Sequence, residues 1–187
     1  MTTVAVFGSA APKPGSQAYD QAEQLGRFLG EDGFTVMTGG YCGTMEAVSK
    51  GAAETGGKTI GVTCEDIDRY RPGGANPWVQ TVISTENLNK RLEILTRQPD
   101  AFLALPGGFG TLCEIALALN LMAVGSIDPR PLILIGKTWQ KTWESFIQMN
   151  GELVPQDHAE LLRYAKDNFE AFELLKQLLD KRDFYGR

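Results

Sequence analysis

Residues 101–114 are AFLALPGGFGTLCE, an apolar run followed by three glycines within four positions. The run at 101–105 is typical of a buried strand. A helix is predicted to begin at Thr111 and to carry a carboxylate at Glu114. Glycine lets the backbone approach a ligand closely, and the free amides and positive dipole end of a helix N-terminus favour an anion. The segment therefore predicts a phosphate-binding turn with an acid beside it.

Thr111 and Glu114 also fit a purely structural interpretation. Thr and Glu three residues apart form the capping box, in which each side chain caps a backbone donor of the other residue. Glu114 would then have no chemical role. Capping does not account for Gly107, Gly108 and Gly110, so a phosphate or nucleotide site is the leading hypothesis.

The composition is that of an ordinary globular protein. At 187 residues the chain fits a single domain, predicted over 1–187. A formal net charge of -5 argues against nucleic acid and anionic membranes as partners. No apolar run approaches the ~20 residues that span a bilayer, and the first residues lack the basic stretch of a signal peptide. A cytoplasmic location is expected.

Cysteine and histidine contribute little to the predicted chemistry. Cys42, Cys64 and Cys113 are odd in number and lack CxxC spacing, which indicates neither a disulfide framework nor a zinc site. A nucleophilic cysteine usually needs a histidine partner, and the single histidine, His158, lies in a polar stretch. No metal and no cofactor are expected. Carboxylates and arginines remain as candidates.

Apolar runs alternate with helical patterns along the whole chain. Strands are predicted at 4–8, 34–38, 58–63, 79–83, 101–105 and 131–135, the last strand of the chain. Helices are predicted at 16–30, 44–55, 86–97, 111–124, 139–149 and 156–181. The polar stretch 64–77 is predicted to be a loop that folds over a site.

This alternation predicts an α/β fold, a doubly wound and mostly parallel sheet covered on both faces. Ligands bind such sheets at the carboxyl ends of the strands, near the switch in strand order. Glycine turns follow three of the apolar strands and should share that edge, at 8–9, 39–40 and 107–108. A dinucleotide fingerprint after the first strand and a Walker motif are both absent, which disfavours dehydrogenase and P-loop functions.

The nine residues 106–114 match Pro-Gly-Gly-x-Gly-Thr-x-x-Glu, which resembles the signature of the LONELY GUY family. These proteins are the cytokinin riboside 5'-monophosphate phosphoribohydrolases, often labelled "possible lysine decarboxylase". The resemblance extends over 4–176. It includes Val-Phe-Gly-Ser at 6–9, Thr-Gly-Gly at 38–40 followed by Gly43 and Met45, and Ile-Gly-Val at 60–62.

The resemblance implies a Rossmann-like fold, a homodimer with sites near the interface, and Arg91 and Glu114 as the catalytic pair. The candidate phosphate- and substrate-binding residues are Gly107, Gly108, Gly110, Thr111, Gly8, Ser9, Gly39, Gly40 and Gly43. Without the resemblance, Arg91 would be taken for a solvated helix residue paired with Glu86 or Glu93.

Several positions depart from the family pattern. Tyr41 replaces a third glycine, Leu88 and Leu92 flank Arg91 in place of methionine and lysine, and Cys113 replaces an acidic residue. Asn120 stands where a substrate-binding hydroxyl residue is expected. These changes leave the base open among purine monophosphates and other phosphorylated ligands.

Two functions of different classes follow from the same residues. The first is a nucleoside 5'-monophosphate phosphoribohydrolase that releases free base and ribose 5-phosphate. The second is a non-catalytic binding protein resembling the molybdenum cofactor carriers, which hold a pterin with a terminal phosphate. Lysine decarboxylation is not supported, because no lysine has a context suited to anchoring pyridoxal.

Overall fold

The computed structural model describes residues 1–70 and 73–184, with side chains described through residue 180. Within these residues seven strands form one sheet in the order β4-β3-β2-β1-β5-β6-β7, and every neighbouring pair is parallel. The strands are β1 (Thr3–Phe7), β2 (Thr35–Thr38), β3 (Lys58–Cys64), β4 (Thr81–Thr85), β5 (Ala101–Ala104), β6 (Leu132–Ile135) and β7 (Leu162–Ala165).

Helices connect successive strands and cover both faces of the sheet. They are α1 (Gln17–Glu31), α2 (Thr44–Glu54), α3 (Glu65–Tyr70), α4 (Leu88–Arg97), α5 (Phe109–Ala123), α6 (Lys137–Met149), α7 (Gln156–Ala159) and α8 (Asn168–Phe184), with a 3-10 turn at Gly151–Leu153. None of the helices described is long and apolar enough to cross a membrane.

Alternate residues of each central strand face two separate cores. Val4 and Val6 of β1 pack with α1, α2 and α8. Ala5 and Phe7 of the same strand pack with α4, α5 and α6. Because the sheet is covered on both sides, its central strands β1, β5 and β6 are apolar and almost wholly buried, as the sequence predicts for parallel strands.

The strand order reverses at β1. The chain builds β2, β3 and β4 outward on one side of β1, then crosses to place β5, β6 and β7 on the other. The turns after β1 and β5 therefore leave neighbouring strands at the switch point, where doubly wound sheets bind ligands. The predicted α/β, doubly wound, parallel fold is confirmed.

The predictions for the C-terminal region are wrong in one respect. The helix predicted at 156–181 is interrupted by β7, so the strand at 131–135 is not the last. Leu162 and Ala165 are buried where β7 pairs with β6. The Asp167 carboxylate then accepts from the Glu170 N–H (2.9 Å) near the start of α8. A four-residue strand at a sheet edge is too short to show a period of two.

The predicted loop at 64–77 contains a helix, α3, and its residues 71 and 72 lie outside the described residues. The strand predicted at 79–83 begins two residues later. The Thr59 hydroxyl donates to the Trp78 carbonyl (2.7 Å) and accepts from the Gln80 N–H (3.0 Å). This side chain takes the place of ladder hydrogen bonds, and regular pairing starts at Thr81 opposite Ile60.

Helices α1 and α2 touch through glycines. A Cβ added at Gly26 would lie 2.1 Å from the Val48 carbonyl oxygen, and one added at Gly51 would lie 2.0 Å from the Glu23 carbonyl oxygen. Both obstacles are backbone atoms, which cannot rotate away. The two helices pack as closely as they do because these positions lack side chains.

We expect Gly51→Ala to lower the free energy of unfolding by about 2 kcal/mol, because overpacking a close contact forces the helices apart. Gly110→Ala is the matched control, since its added Cβ would meet no described atom within 4 Å; it should stabilise the chain by up to about 1 kcal/mol. Urea denaturation measures both. Equal effects of the two substitutions would contradict the close-packing argument.

Candidate functional site

Three glycine turns meet at the carboxyl edge of the sheet, as the strand pattern predicts. The Thr111 hydroxyl donates to the Gly8 carbonyl (2.9 Å), which joins the turn after β5 to the turn after β1. The Thr44 N–H and hydroxyl donate to the Ser9 carbonyl (2.8 and 3.1 Å), which joins the turn after β2 to the same place. The turns after these three strands are thus joined by hydrogen bonds from two threonines to backbone carbonyls.

A cavity of about 430 Å³ opens between these turns and helices α3, α4 and α5. Its polar groups come from the turns, from α5 and from Arg91 of α4, and α3 and α4 also contribute apolar side chains. It is lined by Gly8, Ser9, Ala10, Ala11, Tyr41, Met45, Ile67, Tyr70, Leu88, Arg91, Leu92, Gly108, Phe109, Gly110, Thr111, Cys113 and Glu114.

The predicted glycines divide into two groups. Gly8, Gly108 and Gly110 line the cavity, and a Cβ added at Gly108 or Gly110 would meet no described atom within 4 Å. Gly39, Gly40, Gly43 and Gly107 do not line it. A Cβ at Gly107 would collide with the Thr111 side chain (2.2 Å). The second group supports the site from behind.

Gly39 leaves room for the arginine. A Cβ added there would lie 1.9 Å from Arg91 Nη2 and 2.7 Å from the Met45 sulfur. The guanidinium therefore occupies the volume that any other residue at position 39 would fill. Gly40, with φ of +81°, needs the left-handed conformation for the same turn.

The capping-box interpretation is wrong. Helix α5 begins at Phe109, two residues before the predicted start, with Gly108 at its N-cap and no side-chain cap among the described residues. The Thr111 hydroxyl donates to Gly8, and the Glu114 carboxylate accepts from Arg91. Neither side chain is available to cap the helix.

Arg91 and Glu114 form a buried ion pair at the cavity wall. They are 5% and 6% exposed, and Arg91 Nη1 donates to Glu114 Oε1 at 3.4 Å. Arg91 Nε donates to the Val62 carbonyl (2.8 Å) and Nη2 to the Gly39 carbonyl (3.3 Å). The guanidinium is thus fixed by the ends of β2 and β3. Arg91 is not the solvated residue that its helix alone suggests.

Burial raises the pKa of Glu114 to about 7, and the nearby Arg91 only partly opposes this rise. Removing a carboxylate from water disfavours its charged form. Glu114 therefore exchanges its proton near neutral pH, as a general acid or base requires. A raised pKa in a cavity is a physical mark of a functional residue.

The departures from the family pattern lie mostly at this cavity. Leu88, Leu92 and Tyr41 line it, and Cys113 stands exposed at its edge. Asn120 does not contribute to it. It lies in a separate groove between α5 and α6.

Sequence reasoning missed Asn76 and the contribution of α3. The Asn76 amide donates to the carbonyls of Gly40 and Tyr41 (3.0 and 2.9 Å) and holds the turn after β2. Ile67 and Tyr70 of α3 line the cavity. A single asparagine in a polar stretch carries no sequence signal for such a role.

The doubly wound sheet with glycine turns at its switch point is a Rossmann-like fold. The model of the SLOG cluster4 family matches residues 1–160. A cytokinin riboside 5'-monophosphate phosphoribohydrolase of Mycobacterium tuberculosis is 33% identical over 134 residues, which are 71% of this chain and 70% of that protein. An uncharacterized protein of Archaeoglobus fulgidus is 31% identical over 121 residues, 64% of this chain and 76% of its own.

Solved structures with the same fold include molybdenum cofactor proteins. The molybdenum cofactor carrier protein of Chlamydomonas reinhardtii superposes with a TM-score of 0.73 at 26% identity, over 96% of this chain and 98% of its own. The molybdenum cofactor binding protein of Rippkaea orientalis superposes with a TM-score of 0.74 at 26% identity, over 95% of this chain and 97% of that protein's chain. The chain belongs to the SLOG cluster4 family, which confirms the LONELY GUY-type resemblance of its signature.

Glu114→Gln should change the pH dependence of stability. Between pH 4.5 and about 7 the unfolded chain has lost this proton while the folded chain keeps it, so wild-type stability falls as pH rises through that window. Above pH 7 this effect lowers the free energy of unfolding of the wild type by about 3 kcal/mol relative to pH 4.5. Glutamine does not titrate, so the variant lacks this loss of stability. We expect the difference in melting temperature, variant minus wild type, to be larger at pH 8 than at pH 4.5.

Calorimetric melting at both pH values measures the difference. Glu86→Gln is the control, because Glu86 lies exposed at the surface. A Glu114→Gln difference that is the same at pH 4.5 and pH 8 would show that Glu114 ionises normally.

Proposed function

We propose that this chain is a nucleoside 5'-monophosphate phosphoribohydrolase, which cleaves the N-glycosidic bond to give free base and ribose 5-phosphate. The observation that carries the proposal is the buried Arg91–Glu114 pair beside an open glycine turn. The named function of the Mycobacterium tuberculosis relative is of this kind.

The phosphate would bind at the first turn of α5. Gly108 and Gly110 leave the backbone open to the cavity, and the N-terminal amides of a fifteen-residue helix favour an anion. Ser9 lies on the opposite turn and lines the same space. The Thr111 hydroxyl is occupied by Gly8, so Thr111 would contribute its backbone amide.

Glu114 would act on the ribose carbon that bears the base. Cleavage of a glycosidic bond develops positive charge on the sugar ring, which a carboxylate stabilises. Water forms the new C–O bond as the C–N bond breaks. Glu114 takes the proton that water loses, and the departing base takes one from solvent.

Arg91 would hold Glu114 and contact the substrate. Three of its five N–H donors have partners among the described residues: Val62, Gly39 and Glu114. The two others, on Nη1 and Nη2, are available to a phosphate or a ribose hydroxyl. Lysine could not supply this planar fork.

The base would be selected by shape. The cavity wall formed by α3 and α4 is mostly apolar: Ile67, Leu88 and Leu92 cannot hydrogen-bond a base edge, whereas Tyr70 and Arg91 carry polar groups. Apolar walls discriminate weakly between similar ligands. We infer that several purine monophosphates share the site.

We expect pure protein to release free base from AMP, GMP and IMP with kcat/KM values within about tenfold of one another. Its kcat/KM should rise with pH up to about 7, because the ionised carboxylate is the active form. Glu114→Gln should lower kcat by about 10²–10⁴-fold, while Glu86→Gln leaves it unchanged. Chromatographic assay of free base measures each value.

A carrier of a phosphorylated pterin is the second candidate. The observation that favours it is the superposition of the two molybdenum cofactor proteins over nearly the whole chain. A carrier needs the glycine turn but no titrating carboxylate. Tight binding of a pterin with a terminal phosphate, without release of base from any monophosphate, would reject the hydrolase in favour of the carrier.

We propose further that the chain forms a homodimer through α5. Glu114 is the one charged residue among the fifteen of this helix and is buried. Its outward positions run along one stripe from Phe109, which is 91% exposed, through Cys113, Ala116 and Asn120 to Val124 at the C-cap. A largely apolar and uncharged helix face of this kind is typical of a buried surface.

Ala116→Glu should convert the dimer to monomer, because it places an unpaired charge in an apolar interface. Gln24→Glu, an added charge on the exposed side of α1, should leave the dimer intact. Light scattering coupled to size exclusion reads the mass. Weak self-association has dissociation constants of about 100 μM. A wild-type chain that is still a monomer at that concentration would contradict the proposed dimer.

A further inference from the structure

Tyr41 lies against the catalytic candidates, although the resemblance gives this position to a glycine. Its side chain is 4% exposed and lines the cavity. The Arg91 Cζ lies 5.8 Å from the centre of the Tyr41 ring. A guanidinium within about 6 Å of an aromatic face is attracted by the negative face of the ring.

The ring is anchored at its hydroxyl. The Cys64 N–H donates to Tyr41 Oη (2.8 Å), and Oη lies 3.0 Å from both the Cys64 carbonyl and Asp68 Oδ1. The single hydroxyl proton is donated to one of these two acceptors. Burial raises the pKa of Tyr41 to about 12, so the hydroxyl keeps its proton at neutral pH. Asn76 fixes the backbone of the same turn.

The in-plane bonds of Arg91 are unequal. The bond from Nε to the Val62 carbonyl is short, at 2.8 Å, whereas the contact with Glu114 measures 3.4 Å. Rotation about the short bond would carry Nη1 away from Glu114 and Nη2 away from the Gly39 carbonyl, whose bond is also long, at 3.3 Å. The Tyr41 ring lies on the guanidinium, 5.8 Å from Cζ, where it can oppose that rotation.

We propose that Tyr41 is a positioning residue whose ring holds the Arg91 guanidinium against Glu114. Its hydroxyl fixes the ring to the end of β3 and to α3. The consequence for catalysis rests on the proposed hydrolase, but the positioning itself does not. The charged groups that face these side chains are Arg91 from α4, Glu114 from α5 and Asp68 from α3.

The test weakens the attraction between the ring and the guanidinium while keeping an aromatic ring of similar shape at position 41. Phenylalanine and its 3,5-difluoro and 3,4,5-trifluoro derivatives are placed at position 41, since fluorine withdraws electron density from the ring face that attracts a cation. The pKa of Glu114 is followed by its carboxyl carbon resonance, assigned by the loss of that resonance in Glu114→Gln. This measurement needs no turnover.

We expect Tyr41→Phe, which keeps the ring but loses its hydroxyl anchor, to raise the pKa of Glu114 by less than Tyr41→Leu does. Each added fluorine should raise it further, because a displaced Arg91 no longer favours the carboxylate. Tyr41→Leu should raise it by about one unit, a tenfold change in the ionisation equilibrium. Tyr164→Leu, a half-buried tyrosine on the edge strand β7, is the control. It should lower the melting temperature and leave this pKa unchanged.

The kinetic readout follows the same series. If the hydrolase is correct, Tyr41→Leu should lower kcat about tenfold and change KM less than threefold, and Tyr41→Phe should lower kcat by a smaller factor, because it keeps the ring. Absence of turnover in wild type would reject the hydrolase and leave the pKa series to decide on positioning. A Glu114 pKa that is the same across the fluorinated series, or that moves equally in Tyr164→Leu, would overturn the role of Tyr41.

Discussion

Burial of an arginine and a glutamate side by side is the constraint on which the site depends. Two charges removed from water are tolerated only when hydrogen bonds and Coulomb attraction replace hydration. Arg91 obtains this from the carbonyls of Gly39 and Val62 at the ends of β2 and β3. Among the described residues, Glu114 has only the long contact with Arg91, and burial raises its pKa. The arginine therefore has more of its lost hydration replaced than the carboxylate does.

The surrounding architecture serves that arrangement. Parallel strands end at one edge, and the reversal of strand order at β1 opens a gap there. Thr44 and Thr111 close the gap from both sides through the carbonyls of Ser9 and Gly8. The turns at the edge of the cavity and the ion pair are thus held by separate hydrogen bonds: the turns by Thr44 and Thr111, and Arg91 by the carbonyls of Gly39 and Val62.

Much of this could be predicted from sequence, for identifiable reasons. Buried parallel strands leave long apolar runs, and the turn at 106–110 carries glycines that capping does not require. The strand β7 could not be predicted, because four residues at an edge show no period. The capping alternative for Thr111 could not be rejected from sequence, since a hydroxyl that donates to Gly8 on the neighbouring strand has the same spacing to Glu114 as a helix cap. The anchoring by Asn76 depends wholly on tertiary contact.

The missing side chain at position 39 limits which residues can occur together at 39 and 91. Because Arg91 Nη2 fills the volume of a Cβ there, an arginine at 91 in this position and any residue larger than glycine at 39 exclude each other. A chain with a side chain at position 39 must move or replace the arginine, whereas a glycine there permits the ion pair without requiring it.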